Sequence, residues 1–274
     1  MKKLFIFLSA MILACSCTQT KAPKVLVLYY SQTSNTQTVA EAIQSALGAD
    51  IEAIVPVDPY EGDFGATIER SRKEYEENIL PEIEPLKVNI KDYDIIFLGF
   101  PVWFGTYAVP VGTVLADPGF AGKKVVPFCT FGSGGLESST EAIKAKLPDS
   151  EILPGYGVRA ARIAAVPEEI DRFLKESGFV EGEVEPLEEF SEIRPASEEE
   201  AAIFDAAVGD YPMINAKAES VSSRPVPGGM EYMFKASPLP REDGFGMPGA
   251  MVVYVLAKEG QAPEFTRVVR VTER

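Results

Sequence analysis

The chain has 274 residues, 46% of them hydrophobic and 24% charged, enough to bury a sizeable core in one large domain or two modest ones. Its 41 acidic against 26 basic residues give a formal charge of -15, which argues against nucleic acid as a partner, since that affinity rests on Lys and Arg neutralising phosphates. There is no histidine, which excludes Ser-His-Asp and Cys-His catalysis, His-ligated zinc and imidazole acid/base chemistry.

The first segment, "MKKLFIFLSAMILACSC", places Lys2 and Lys3 before an apolar run from Leu4 to Leu13. This is the pattern of an export signal, and the run is shorter than the roughly 20 apolar residues of a spanning helix. "ILAC" resembles the lipobox of bacterial lipoprotein signal peptides, whose cysteine is lipidated after cleavage. Cys15 fits one register and Cys17, in "ACSC", the other. A simple cleaved signal and an uncleaved anchor are the alternatives. An exported, membrane-anchored protein, periplasmic or on the cell surface, is expected. The remaining cysteine, Cys129, excludes an internal disulfide framework and reads as a buried, inert thiol.

After this leader (1–22), short apolar runs alternate with amphipathic stretches over 23–181. "KVLVLYY", "IEAIV", "DIIFLGF", "KKVVPFCTF" and "SEILPGYGV" read as five strands. Helices are expected around "TQTVAEAIQSALG", stopped by Gly48, and around "ATIERSRKEYEENI", "YAVPVGTVL", "STEAIKAKL" and "PEEIDRFLKESG". Strands alternating with helices imply βαβ units and a doubly wound parallel sheet covered on both faces. Residues 182–195 are acidic and proline-punctuated, a linker or a connection lying on the surface. In 196–274, Ser197 and Glu200 form a capping-box pattern before a helix that ends at Gly209. Four strand candidates follow, "INAKAESVSS", "GMEYMFKAS", "AMVVYVLAK" and "FTRVVRVTE", with "RPVPGG" as the hairpin between the first two. A small α+β unit is expected, its helix lying across an antiparallel sheet.

The chemistry is read at the carboxyl ends of the parallel strands, where ligands of doubly wound sheets bind. The first strand runs into "SQTSNT", Ser31 to Thr36, which leads straight into a helix. Backbone N–H groups and the helix dipole there favour an anion. Ser31, Thr33, Asn35 and Thr36 add short side-chain donors, and the loop has no Lys or Arg. It lacks the lysine of a Walker-type loop, so it suits anchoring a cofactor's phosphate more than transferring it. The same residues would also serve as a helix cap. The third strand ends in "GFPVWFG", with Trp103, the single tryptophan, and Phe104; the fourth ends in "CTFGSGG", with Gly132, Ser133 and Gly134. An aromatic loop, a glycine loop and a phosphate cradle at one sheet end describe a site for a planar ring bearing a phosphate.

At this point the residues resemble a known family. "LVLYYSQTSNTQTVAEAI", with Ser31, Thr33, Asn35 and Thr36 in a Ser-x-Thr-x-Asn-Thr pattern, is similar to the first strand and FMN-phosphate loop of flavodoxins. "EENILPEI", "YDIIFLGFPVWFGTYAVPV" and "VVPFCTFGSGGLESS" are similar to flavodoxin-family segments in the same order, over residues 24–180. The resemblance implies a flavodoxin-like five-stranded sheet and FMN as cofactor. Ser31, Gln32, Thr33, Ser34, Asn35 and Thr36 would hold the phosphate. Pro101, Val102, Trp103, Phe104 and Gly105 would border the isoalloxazine, and Thr130, Phe131, Gly132, Ser133 and Gly134 would form the other wall. Ser34 stands where many flavodoxins have glycine. The flavin would supply the redox chemistry that a chain without histidine cannot, with electrons exchanged with a redox partner protein or an NAD(P)H-type reductant; no loop residue is an obvious acid/base catalyst. Val226 and Gly228 fit part of the Gln-x-Val-x-Gly hairpin of cystatin-like domains, with Arg224 in the glutamine position. The competing expectation is a non-redox surface or periplasmic interaction protein, its flavodoxin-like half free of flavin and its C-terminal half binding a partner.

Overall fold

The computed structural model describes residues 22–61, 64–209, 211–240 and 246–271. The leader, with Cys15 and Cys17, lies outside the described residues. Among the described residues, no helix is long and apolar enough to cross a membrane.

The first half alternates as its apolar pattern requires. β1 (Val25–Tyr29) leads into α1 (Asn35–Leu47), which ends on Gly48 in the left-handed conformation, φ 60°. β2 (Asp50–Ala53), α2 (Phe64–Glu77), β3 (Ile95–Trp103), β4 (Thr106–Tyr107), α3 (Val109–Val114), β5 (Lys124–Phe131), α4 (Leu136–Lys146), β6 (Glu151–Ile152), β7 (Tyr156–Arg159) and α5 (Val166–Glu176) follow. The parallel strands lie in the order β2-β1-β3-β5, with β6 and β7 both alongside β5. The chain leaves β1 towards one edge and returns on its other side as β3, so the switch point lies between the carboxyl ends of β1 and β3. Two elements differ from expectation. "SEILPGYGV" is two short strands, interrupted where Gly155 packs against the Pro127 backbone. The segment expected as one helix from Tyr107 opens as the hairpin strand β4, and α3 is only six residues long.

Alternation within the strands builds two cores. Val27, Phe97 and Phe128 point to the face covered by α1 and α5, where Val39, Ile43, Ile170 and Leu174 meet them. Leu26, Leu28, Leu98, Phe100 and Cys129 point to the face covered by Val111, Val114 and Ile143. Each fully buried large apolar side chain contributes about 1.5–3 kcal/mol. Cys129 is buried as expected, and burial pushes its thiol well above the ordinary range.

The second half is one antiparallel sheet with a helix across it: β8 (Arg194–Pro195), α6 (Glu198–Val208), β9 (Ala216–Val226), β10 (Gly229–Pro238), β11 (Met251–Lys258) and β12 (Glu264–Arg270), in the order β12-β11-β10-β9-β8. Four of these strands match expectation. The fifth, β8, comes from the segment read as a linker, which hugs the sheet: Ser191 N–H donates to Ser223 O (2.9 Å) and Arg194 pairs with Val221. Phe204 and Val208 of α6 pack on Val221, Phe234 and Val253.

Both bonds of the capping box form, Glu200 N–H to Ser197 Oγ and Ser197 N–H to Glu200 Oε2 (3.2 and 3.0 Å). Arg194 grips the same carboxylate with two bonds of 2.7 and 2.6 Å and, as the largest cause, holds the Glu200 carboxyl down to about 2. A folded-state pKa below the unfolded value adds stability above the ordinary carboxylate pKa, and that stability is lost as pH falls from about 5 to about 2. Half-exposed Arg194 is screened by solvent, which keeps the contribution modest. Urea unfolding of wild type and Glu200→Gln should therefore differ at pH 7 and converge by pH 2; a constant gap would contradict the assignment.

Candidate functional site at the carboxyl ends of β1, β3 and β5

Where β1 ends, Tyr30 N–H still bonds Gly99 O of β3 (3.0 Å), and then the chain leaves the sheet. Ser34 is the N-cap of α1 with φ 64°, and its side chain makes no capping bond. Capping falls to Ser31, whose Oγ accepts Gln37 N–H (3.2 Å). Thr38 turns both its N–H and its hydroxyl onto Ser34 O (2.9 and 3.1 Å). Among the described residues, the N–H groups from Gln32 to Thr36 meet no acceptor, and the first turn of α1 carries no acidic side chain. The positive end of the helix is therefore open to an anion. Beneath the loop, Thr36 and Thr130 hydroxyls lie 2.8 Å apart and are buried. One of the two donates to the other, so the second keeps its proton for another acceptor. Gln32 is committed within the protein: its Oε1 accepts from Tyr30 Oη (2.6 Å) and its Nε2 donates to Tyr60 O (2.8 Å).

The left-handed Ser34 shows that the backbone takes the course glycine would allow. That conformation costs an ordinary L-residue about 1–2 kcal/mol. Ser34→Gly should thus be neutral or slightly stabilising, whereas Ser34→Val should lose about 1–2 kcal/mol in denaturant unfolding. Equal stability of the two variants would contradict the strained cap.

The aromatic loop is a tight hairpin. Trp103 pairs with Thr106 across a two-residue turn in which Phe104 and Gly105 both have positive φ, 52° and 80°, the conformation of a type I′ turn. Half-buried Trp103 stands edge-on to Tyr30 and Tyr60, with ring centroids 5.6 and 5.2 Å away. The Tyr60 hydroxyl donates to buried Glu74, and Arg70 bonds Glu74 (2.9 Å) while lying 4.2 Å over the Tyr60 ring. Burial, then the Glu74 carboxylate, pushes the Tyr60 phenol far up, so it stays protonated. Phe104 faces outward and packs on Tyr75, 5.7 Å between centroids.

The glycine loop follows β5. Phe131 turns into the core and is 6% exposed, so of this wall Gly132, Ser133 and Gly134 are the accessible part. The two walls touch: Val102 Cγ1 lies 2.6 Å from where a Gly135 Cβ would stand, and Ser138 Oγ donates to Gly105 O (2.5 Å). The glycine loop also meets the C-terminal sheet, with Val268 N–H donating to Ser133 O (2.6 Å). A cavity of about 190 Å³ borders this loop, lined by Phe131, Gly134, Gly135, Leu136, Gly155 and Arg267 among others, with no residue from 31–36 and without Trp103.

The structure places Ser31–Thr36 directly after β1, Trp103 at the end of β3 and Gly132–Gly134 directly after β5, with Thr36 touching Thr130 of β5 and Trp103 touching Tyr30 of the first loop. Sequence reasoning missed Tyr60, which sits in "VDPYEG" with no periodicity to mark it, and the contacts of the C-terminal half, which are separated by more than a hundred residues in the chain.

A parallel sheet in this order, with three loops at its switch point, defines a flavodoxin-like α/β protein. The flavodoxin sequence profile matches residues 24–168, and the chain belongs to that family. Among solved structures, a protein described as a flavoprotein from Bacteroides eggerthii is 31% identical, covering 54% of this chain and 96% of its own, with a TM-score of 0.48. A flavoprotein so described from Bacteroides uniformis is 26% identical, covering 55% and 99%, TM-score 0.49. A Lactobacillus acidophilus flavoprotein solved in complex with FMN is 23% identical, covering 55% and 97%, TM-score 0.47. No curated protein matches the chain.

Proposed function

We propose that the chain is an FMN-binding flavoprotein that carries electrons or performs flavin-dependent reduction outside the cytoplasm. The observation that carries this reading is the open row of N–H groups from Gln32 to Thr36 at the start of α1, with the Thr36–Thr130 hydroxyl pair below it. A cation-free cradle of this kind holds a phosphate monoester and leaves it unreacted. FMN, when bound, supplies the electron and proton chemistry that a chain without histidine lacks. The protein's own part is binding and shielding: residues 31–36 hold the phosphate, Trp103 and its hairpin exclude water from one side, and Gly132–Gly134 do so from the other. The Tyr60 phenol donates to the Glu74 carboxylate, which Arg70 pairs with on its other oxygen.

The leader supports export and lipid attachment through Cys15 or Cys17, and electrons would pass to or from a redox partner protein or an NAD(P)H-type reductant. Helix α6 across a five-stranded antiparallel sheet supports the cystatin-like reading of the C-terminal half, in the role of a module that covers or docks. The test is the visible spectrum of the chain lacking residues 1–22, before and after FMN is added. Bound FMN with quenched fluorescence is expected; a colourless protein that takes up no flavin contradicts the reading and favours the flavin-free interaction protein. Trp103→Ala should weaken FMN about tenfold or more, in line with about 1–3 kcal/mol for one aromatic stacking contact. Trp103→Phe should retain most of the affinity, and equal affinity of Trp103→Ala and wild type would move the aromatic wall elsewhere.

A further inference from the structure

Two of the three glycines after β5, Gly132 and Gly134, face the C-terminal half. β12 is the outer strand of the C-terminal sheet, and at Val268 both backbone groups turn to the glycine loop. Its N–H donates to Ser133 O (2.6 Å), and its carbonyl oxygen occupies the space that a Gly134 side chain would need. Tyr211 Oη stands 2.8 Å from where a Gly132 Cβ would be. Arg159, at the end of β7 and only 9% exposed, ties the two halves: its Nε donates to Gly132 O and its Nη1 to Phe265 O, both 2.9 Å, with its guanidinium 3.4 Å over the Phe265 ring. Beside it, Arg162 bonds Glu264 and Glu169, each at 2.7 Å. The glycines at 132 and 134 are thus explained by the approach of the C-terminal half.

We propose that the C-terminal half is a built-in part of the flavin site, in which the edge of β12 and Arg159 hold the backbone of Gly132–Gly134 in the shape that receives the isoalloxazine. The inference rests on the FMN reading above. A Gly-Ser-Gly-Gly loop has unusual conformational freedom, and ordering it only on binding would weaken the ligand. Bonds made on folding remove that cost beforehand. Arg159 and Val268 are positioning residues. By linkage, bound flavin also tightens the contact between the halves.

Val268→Pro tests the clamp, because proline is tolerated in an edge strand where the lost N–H faces away from the sheet. Arg159→Met serves if the proline variant does not fold, and Arg224→Met, whose partner Glu231 lies elsewhere on the sheet, is the control. In the chain lacking residues 1–22, with far-UV circular dichroism unchanged, Val268→Pro and Arg159→Met should each weaken FMN about five- to tenfold. Riboflavin should be weakened by the same factor, since the clamp acts on the ring wall, and the control should match wild type. In the flavin-free protein, amide hydrogen exchange at 132–135 should quicken in both variants. Wild-type affinity in both, or unchanged exchange, overturns the clamp while leaving the FMN reading intact. Wild type that binds no FMN overturns both.

Discussion

Thr36→Val should lower FMN affinity at least tenfold and destabilise the flavin-free protein by about 1–3 kcal/mol, the cost of leaving a buried hydroxyl without a partner. The hydroxyl at stake is that of Thr130, which lies 2.8 Å from Thr36 Oγ1 beneath the cradle. The valine keeps the shape of threonine, so packing of α1 against the sheet is preserved and the loss is polar. Titration with FMN and with riboflavin separates the roles: the ratio of the two affinities should fall, because only FMN carries the phosphate. An equal loss for both flavins would place the hydroxyl pair under the ring and contradict the phosphate assignment. Urea unfolding reads the stability part.

Phe128→Ala should cost about 3–5 kcal/mol. Phe128 is fully buried, and in register it lies beside Gly99 of β3, where its ring fills the space of the missing side chain. Gly99→Ala should by itself cost about 1–3 kcal/mol through overpacking, since the enclosed ring has nowhere to swing. The double variant should cost clearly less than the sum, because removing the ring makes room for the new methyl group. Additive losses would show that the glycine serves some other purpose. Chemical unfolding of the four proteins in this cycle gives the answer directly, and flavin titration of the folded ones should show little change, since Gly99 lies below the cradle.

Much of the candidate site was legible because it depends on local order. A helix beginning directly after a buried strand, with Ser, Thr and Asn before it, has to expose N–H groups at its start, whatever surrounds it. The place of Trp103 and of the glycines after their strands followed in the same way from strand ends that share one side of a parallel sheet. Gln32 was less legible: its tie to Tyr30 and Tyr60 depends on a residue 28 positions away, and no pattern in "VDPYEG" marks Tyr60. The short hairpin at Phe104 was hidden too. Its turn needs positive φ at two residues, and only the glycine of the pair advertises it.

The sequence alone thus determined the alternation of strands and helices, the two faces of the sheet, the cap and end of α6, and the places of the three loops that follow β1, β3 and β5. These follow from periodicity, chain stiffness and the hydrogen-bonding needs of helix ends, all of which act within a few residues. Tertiary structure decided what presses on those loops. The hydroxyl pair of Thr36 and Thr130, the aromatic group of Tyr30, Tyr60 and Trp103, and the hold of Arg159 and Val268 on the glycine loop join residues from 27 to more than 100 positions apart. Packing of whole elements sets such contacts, and no local propensity encodes them.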